Sequence, residues 1–280
     1  MPVKAAAANV VAYLLVLLGA LLVLRRQGRM AFGRRRDLNL GTIREMTVVG
    51  LASTLQVISP ALSGVLLMGL MNKHGVGVVG AFGVASKVEA IMLVPALAMN
   101  MTVTALTGNA FGAGQPRIAW QHLRRGAVLC GAITVPLVIG SVAFSRQLTL
   151  TFVDDVSLVP IVAGYLTIMA PGYLLNVVLA LFMGMLNGDR RVLSGAVVFF
   201  LGYLAFCMPA AVFLASTTLQ ERGIWLAMSA SYLFMAVLAT LLSLPPVRRR
   251  LTAHRPPERE STGLTIEGRD WPATDDGSWS

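Results

Sequence analysis

AFGVASKVEAIMLVPALAMNMTVTALTGNAFGAGQ, residues 81–115, is the stretch whose reading decides the rest. It is apolar enough to cross a bilayer, yet it carries Lys87 and Glu89 and ends in a run of small residues and glycines. A charged side chain near the bilayer centre costs about 2.5 to 3.5 kcal/mol on insertion scales, so such residues usually face protein or an aqueous cavity. Two residues apart on a helix, Lys87 and Glu89 point in nearly opposite directions and form no intrahelical pair. Steps of about two, three and five turns from Glu89 reach Ala96, Asn100 and Thr107, a small and polar stripe suited to a wet cavity.

Composition agrees with a membrane setting. The chain has 280 residues, 56% hydrophobic and 13% charged, with a mean hydropathy of +0.72. An ordinary soluble domain carries about 25% charged residues. With about 20 apolar residues per span, the fold class expected is all-α, a polytopic bundle of about seven transmembrane helices. Cys130 and Cys207 lie in apolar runs without metal-ligand or CxxC spacing and read as small buried hydrophobes.

Outward from the motif helix, placed at residues 79–110, the spans fall at 8–24, 47–72, 126–144, 158–186, 192–214 and 223–244. The domain plan is a first transmembrane helix (1–24), a basic cytoplasmic loop (25–46), a six-helix membrane lobe (47–244) and a disordered cytoplasmic tail (245–280). The first span precedes Arg25, Arg26 and Arg29, the reverse of a signal peptide's charge order, so it reads as a retained helix. The loop that follows holds seven arginines against Asp37 and Glu45. Nucleic acid or anionic lipid could meet such a run, but in this setting it anchors topology against acidic head groups, and no nucleic-acid partner is expected. Arg117, Arg124 and Arg125 mark residues 108–125 as a cytoplasmic connection, and Arg190 and Arg191 mark a second. The basic residues thus place the amino terminus outside, the carboxyl terminus in the cytoplasm and the protein in the plasma membrane.

Several residues within the spans suggest function. Gln56, Ser59 and Pro60 share one helix, where the proline frees a carbonyl that something must satisfy; Gln56 either bonds a neighbouring helix or lines a cavity. Pro95 offers a bend in the motif helix. In the fifth span a Pro171-Gly172 step invites local unwinding, and Tyr165, Thr167, Met169, Tyr173 and Asn176 around it suit a pocket for amphipathic molecules. The hinge set is therefore Pro60, Pro95, Pro171 and Gly172. His74 falls in an exposed turn and reads as inert. Asp154 and Asp155 read as caps of the fifth span, with no histidine or third acid nearby to make a metal site. Pro245 and Pro246 are expected to end the last span.

Catalysis has little to rest on. The sequence contains no HExxH, GxSxG or Walker loop and no acid pair placed for glycoside chemistry. No enzymatic activity and no cofactor are expected.

The run from Gly80 to Ala119 resembles the second half of the multidrug and toxic compound extrusion (MATE) transporters. The resemblance rests on Ala81, Phe82 and Gly83, the Lys87-x-Glu89 core, the central Pro95, Ala96 and Leu97, and the glycine-rich exit Gly108, Asn109, Phe111, Gly112, Ala113 and Gly114. It implies one lobe of a two-lobe, twelve-helix antiporter that exchanges H⁺ or Na⁺ for small organic cations. The first span would then be the last helix of the other lobe. The partner would be a separate amino-terminal lobe or a second copy, beside the bilayer itself. Some members use acids on the first or fourth helix of this lobe; here Gln56 and Asn176 stand in those helices, leaving Glu89 as the acidic candidate. The candidates for ion or substrate binding are Glu89, Lys87, Gln56, Asn100, Tyr173 and Asn176. A structural pairing remains the alternative for Glu89. Flipping of lipid-linked oligosaccharides or a non-transporting assembly subunit or remnant remain the alternatives for the chain.

Overall fold

The computed structural model describes residues 18–19, 40–153 and 155–253. The expected first span, most of the basic loop, Asp154 and the chain beyond 253 lie outside the described residues. The chain divides into two compact units, residues 1–50 and 51–280. In the first, residues 40–50 form exposed opening turns of a helix, with the Thr47 hydroxyl donating to the Ile43 carbonyl at 2.9 Å.

The helices are α1 (Leu40–Asn72), α2 (Val76–Gly112), α3 (Pro116–Ala143), the short α4 (Ser145–Phe152), α5 (Val159–Gly188) after a 3-10 turn at Val156–Leu158, α6 (Val192–Phe200), a π-helical segment (Leu201–Cys207), α7 (Met208–Ala215) and α8 (Glu221–Ala253). Counting α6 through α7 as one rod, six of the described helices are long and apolar enough to cross a membrane. The fold is all-helical.

Four boundaries differ from the sequence reading, each for a physical reason. Helix α1 begins at Leu40, so the last part of the expected basic loop is helical. Helix α3 begins at Pro116 rather than near Gly126. Proline suits the first helical position because its missing N–H would go unbonded there, and Arg117, Arg124 and Arg125 ride on a helix instead of a loop. The expected loop after the fourth span contains α4. Pro245 and Pro246 do not stop α8, which runs to Ala253. Pro246 has no N–H to offer the Leu242 carbonyl, and the Arg191 guanidinium donates to that oxygen at 2.7 Å instead.

Within lipid, helices gain little from burying apolar faces and associate through close packing and interhelical hydrogen bonds. Helix α5 is central in this sense: it packs most extensively on α2 and then on α8. A Gly184-x-x-x-Gly188 step makes the first crossing. A Cβ on Gly184 would fall 2.7 Å from the Asn100 carbonyl oxygen, and one on Gly188 would fall 2.7 Å from that of Thr104. Hydroxyls at Ser59, Thr102, Thr104 and Thr167 bond back to carbonyls four residues earlier, which keeps them satisfied without water.

The ends of the helices alternate. Gly108 at the end of α2 lies beside Gly188 at the end of α5, and Gly80 near the start of α2 lies beside Leu158 before α5. Gly164 near the start of α5 meets Trp225 near the start of α8. Thus Arg117, Arg190 and Arg191 follow helix ends on one side, and Lys73 and Asp155 sit on the other. Asp155 caps the 3-10 turn, its carboxylate accepting from the Ser157 N–H at 2.9 Å, and these bonds to Ser157 hold its carboxyl below the usual range.

Candidate functional site

Helices α1, α2, α5, α6, α8 and the π segment enclose a half-open cavity of about 490 Å³. Its polar lining is neutral: the amides of Gln56, Asn100 and Asn176 and the side chains of Tyr203 and Tyr232. Pro60, Leu93, Ala96, Leu97, Met183 and Phe199 supply much of the apolar wall. Such a mixture suits an amphipathic organic molecule, since a few placed polar groups orient a ligand whose surface is mostly covered by apolar contacts.

Each amide is placed by its helix. Gln56 Nε2 donates to the Val192 carbonyl at 2.9 Å and to Asn187 Oδ1 at 3.3 Å, tying α1 to the turn between α5 and α6. Both readings of Gln56 therefore hold together, as a helix tie and as cavity wall. Asn100 Nδ2 donates to the Ala180 carbonyl at 2.8 Å, so that part of the wall is fixed by the α2–α5 crossing. The stripe foreseen on α2 reaches the cavity at Ala96 and Asn100. Farther along, the Thr107 hydroxyl is buried with no hydrogen-bond partner among the described residues.

Glu89 lies on that helix but stands behind the wall rather than in it. Its Oε2 accepts from the Tyr165 hydroxyl at 2.7 Å. The Tyr165 ring packs edge-on against Phe82 (centroids 6.0 Å apart) and Trp225 (5.6 Å), and Tyr165, Tyr173 and Trp225 are almost fully buried. Glu89 also faces Tyr232, and Tyr232 lines the cavity. The acid thus reaches the pocket through one aromatic side chain. Lys87 is exposed and turned away from this cluster, as the spacing requires. The Tyr173 hydroxyl and Trp225 Nε1 are buried without hydrogen-bond partners among the described residues.

Of the hinge residues, Pro60 lines the cavity and Pro95 is half-buried in α2. The unwinding foreseen at Pro171-Gly172 does not occur: α5 is continuous from Val159 to Gly188, with Pro171 exposed and Gly172 pressed on α8. A Cβ on Gly172 would sit 3.1 Å from the Tyr232 ring and 3.3 Å from Ser229 Cα, so the helix is closely packed on α8 at this step. The irregular backbone lies instead at Leu201–Cys207. Sequence reasoning missed Phe199, Tyr203 and Tyr232, since an isolated aromatic residue in an apolar helix carries no periodic signal. Pro209, just beyond the π segment, was the available clue.

Among the described residues no cluster of three or more histidines, cysteines or acids could hold a metal ion. The MatE family matches residues 50–213. The chain is 23% identical over 250 residues to a probable multidrug resistance protein NorM of Listeria innocua, covering 86% of this chain and 54% of that protein. It is 24% identical over 186 residues to a FAD transporter of Shewanella oneidensis, covering 66% of this chain and 41% of the relative. Among solved structures, MATE in the straight conformation superposes with a TM-score of 0.74 at 18% identity, covering 84% of this chain and 55% of that one. The Vibrio cholerae MATE transporter VcmN gives a TM-score of 0.72 at 17% identity, covering 83% and 52%. These structures share the fold, and the chain spans about half the length of the proteins it matches.

Proposed function

Since the chain belongs to the MatE family, a multi-pass membrane family of transporters, we propose that it forms the cavity-bearing lobe of an ion-coupled exporter of organic cations. The observation that carries this reading is the neutral, aromatic-walled cavity of about 490 Å³ with Glu89 one side chain behind it. Tyrosine and phenylalanine faces attract an organic cation by about 0.5 to 2 kcal/mol each when desolvated. The three amides orient its polar groups.

Glu89 is the coupling acid in this account. A cation and a proton compete for the carboxylate in a dry site: loading the cation favours the ionised acid, and protonating the acid weakens the cation's hold. The carboxylate accepts from the Tyr165 hydroxyl at 2.7 Å, and we take a proton as the ion that neutralises it. Lys87, away from the cavity, faces the lipid or the second lobe. That second lobe is supplied by a separate amino-terminal lobe or by a second copy. The basic residues at the helix ends support a carboxyl terminus in the cytoplasm and an amino terminus outside, with the plasma membrane as the location.

Cargo with phosphates fits less well. The FAD transporter relative is named for a dinucleotide, and an oligosaccharide flippase would handle a lipid pyrophosphate, whereas the described lining here contains no lysine or arginine.

The test is efflux of tetraphenylphosphonium from proteoliposomes holding the chain together with its other lobe. A proton gradient drives efflux by the wild type, whereas Glu89→Gln folds normally and loses at least tenfold in rate, about 1.4 kcal/mol in barrier. Unchanged gradient-driven efflux by the variant would leave Glu89 a structural partner of Tyr165. Efflux driven only by a sodium gradient would transfer the coupling to Na⁺. No efflux by any assembly would favour a non-transporting subunit or remnant.

A further inference from the structure

The π segment Leu201–Cys207 combines features that neither packing nor helix propensity alone explains. A π turn bonds i to i+5, is rare, and recurs at functional sites. Its cause is legible: Pro209 lacks an N–H and its ring would clash with the carbonyl of Ala205 in a regular α-helix. Widening the turns before it relieves that clash. In a membrane a hydroxyl from a neighbouring helix can bond a backbone carbonyl and tie the two helices together. The Ser63 hydroxyl, buried on α1, points at the Tyr203 carbonyl at 3.3 Å, with Met208 Sδ at 3.8 Å.

The neighbouring residue fixes the segment from the other side. A Cβ on Gly202 would overlap the Met235 side chain, so the glycine lets Met235 of α8 pack across the segment. Held between Ser63 and Met235, the widened turn presents Tyr203 to the cavity. Its ring stands 5.7 Å from Phe199 and 6.5 Å, edge-on, from Tyr232, and all three line the pocket. In an α-helix the two residues four apart would stack one above the other along a single face. Across the start of the widened turn the Phe199 and Tyr203 rings stay neighbours, and both line the pocket.

We propose that the π segment is the specificity-determining element of the cavity, with Tyr203 as the residue that selects cations bearing aromatic groups and Ser63 and Gly202 as the positioning residues that hold it there. The Tyr203 ring supplies a π face beside those of Phe199 and Tyr232, and a cation with flat aromatic substituents fills the space among the three. A compact alkylammonium ion gains from the same faces but leaves the space between them empty. This inference rests on the reading of the cavity as an organic-cation site, and it names the substrate class within it.

The experiment measures binding of tetraphenylphosphonium and of tetraethylammonium to the full chain in nanodiscs by equilibrium dialysis, and takes the ratio of the two affinities. The wild type favours tetraphenylphosphonium. Tyr203→Leu lowers that ratio about tenfold, whereas Tyr203→Phe, which keeps the π face, stays within about twofold. Ser63→Ala, which frees the Tyr203 carbonyl from its donor without touching the cavity wall, lowers the ratio about threefold. Gly202→Ala is expected to lower it further or to fail to fold; the pair Gly202→Ala with Met235→Ala removes the clash and restores folding. A Tyr203→Leu ratio equal to the wild type's would overturn the selectivity role. A fall with Tyr203→Leu but none with Ser63→Ala would overturn the role of the π segment in positioning the ring. A wild type that binds neither ion would overturn both this inference and the proposed cavity, which separates that failure from the other two.

Discussion

Two prolines near the middle of adjacent membrane helices have opposite consequences. Pro171 in α5 leaves the helix regular, while Pro209 follows a seven-residue π segment. The difference is in the surroundings. Around Pro171 the helix is clamped by Gly172 against Ser229 and Tyr232, and the proline faces outward. Around Pro209 the preceding segment is tied to α1 by the Ser63 hydroxyl on the Tyr203 carbonyl, and Gly202 makes room for the Met235 side chain. A third case, Pro246 in α8, is bridged by Arg191. Proline therefore permits a break, and the contacts that neighbouring helices make around it decide the outcome.

That comparison can be broken at each proline. The largest effect is expected at α8: Arg191→Met keeps side-chain bulk but leaves the Leu242 carbonyl without its charged donor, which costs about 1 to 3 kcal/mol. The change is read as a lower midpoint of unfolding in detergent. A midpoint equal to the wild type's would mean that the carbonyl finds another donor and that the bridge is not what carries α8 past its prolines. A smaller effect of opposite sign is expected at α5, where Pro171→Ala restores an N–H to the Thr167 carbonyl and stabilises by up to about 1 kcal/mol with unchanged cation selectivity. Pro209→Ala sharpens the contrast, since removing the cause of the π turn shifts selectivity even where stability rises. If the two alanine variants behave alike, the local surroundings do not discriminate between the sites.

The smallest effect belongs to Asp155, which is exposed and bonded to the Ser157 N–H. Its carboxyl is held low by that bond, so the stabilisation is present above the unfolded-state pKa and disappears as pH falls through the lower folded value. The difference in melting temperature between wild type and Asp155→Asn should be small near neutral pH and vanish in acid. A difference that grew in acid would contradict the sign.

The sequence made the fold legible where its signals were additive. Long apolar runs marked the six described spans, whereas the α2–α5 crossing at Gly108 and Gly188 is seen only with the helices assembled. At the site, Gln56, Asn100 and Asn176 stood out because an amide in an apolar run demands a partner. Tyr203 and Tyr232 did not, because a tyrosine is amphipathic enough to sit in such a run without demanding explanation. Pro171-Gly172 misled because its surroundings come from α8, far away in sequence. Arg191 was read as a topology marker, and its bond to Leu242 could not be seen without the helices assembled.

The separation of cavity and acid is the centre of the account: neutral groups hold the cation, while Glu89 senses it through Tyr232. The most direct measurement is the proton release that accompanies tetraphenylphosphonium binding in weakly buffered solution. The wild type is expected to release protons as the cation binds, and Glu89→Gln to bind the cation without release. Equal release by both proteins, or binding by the wild type with no release at any pH, would contradict the assignment of Glu89 as the coupling acid.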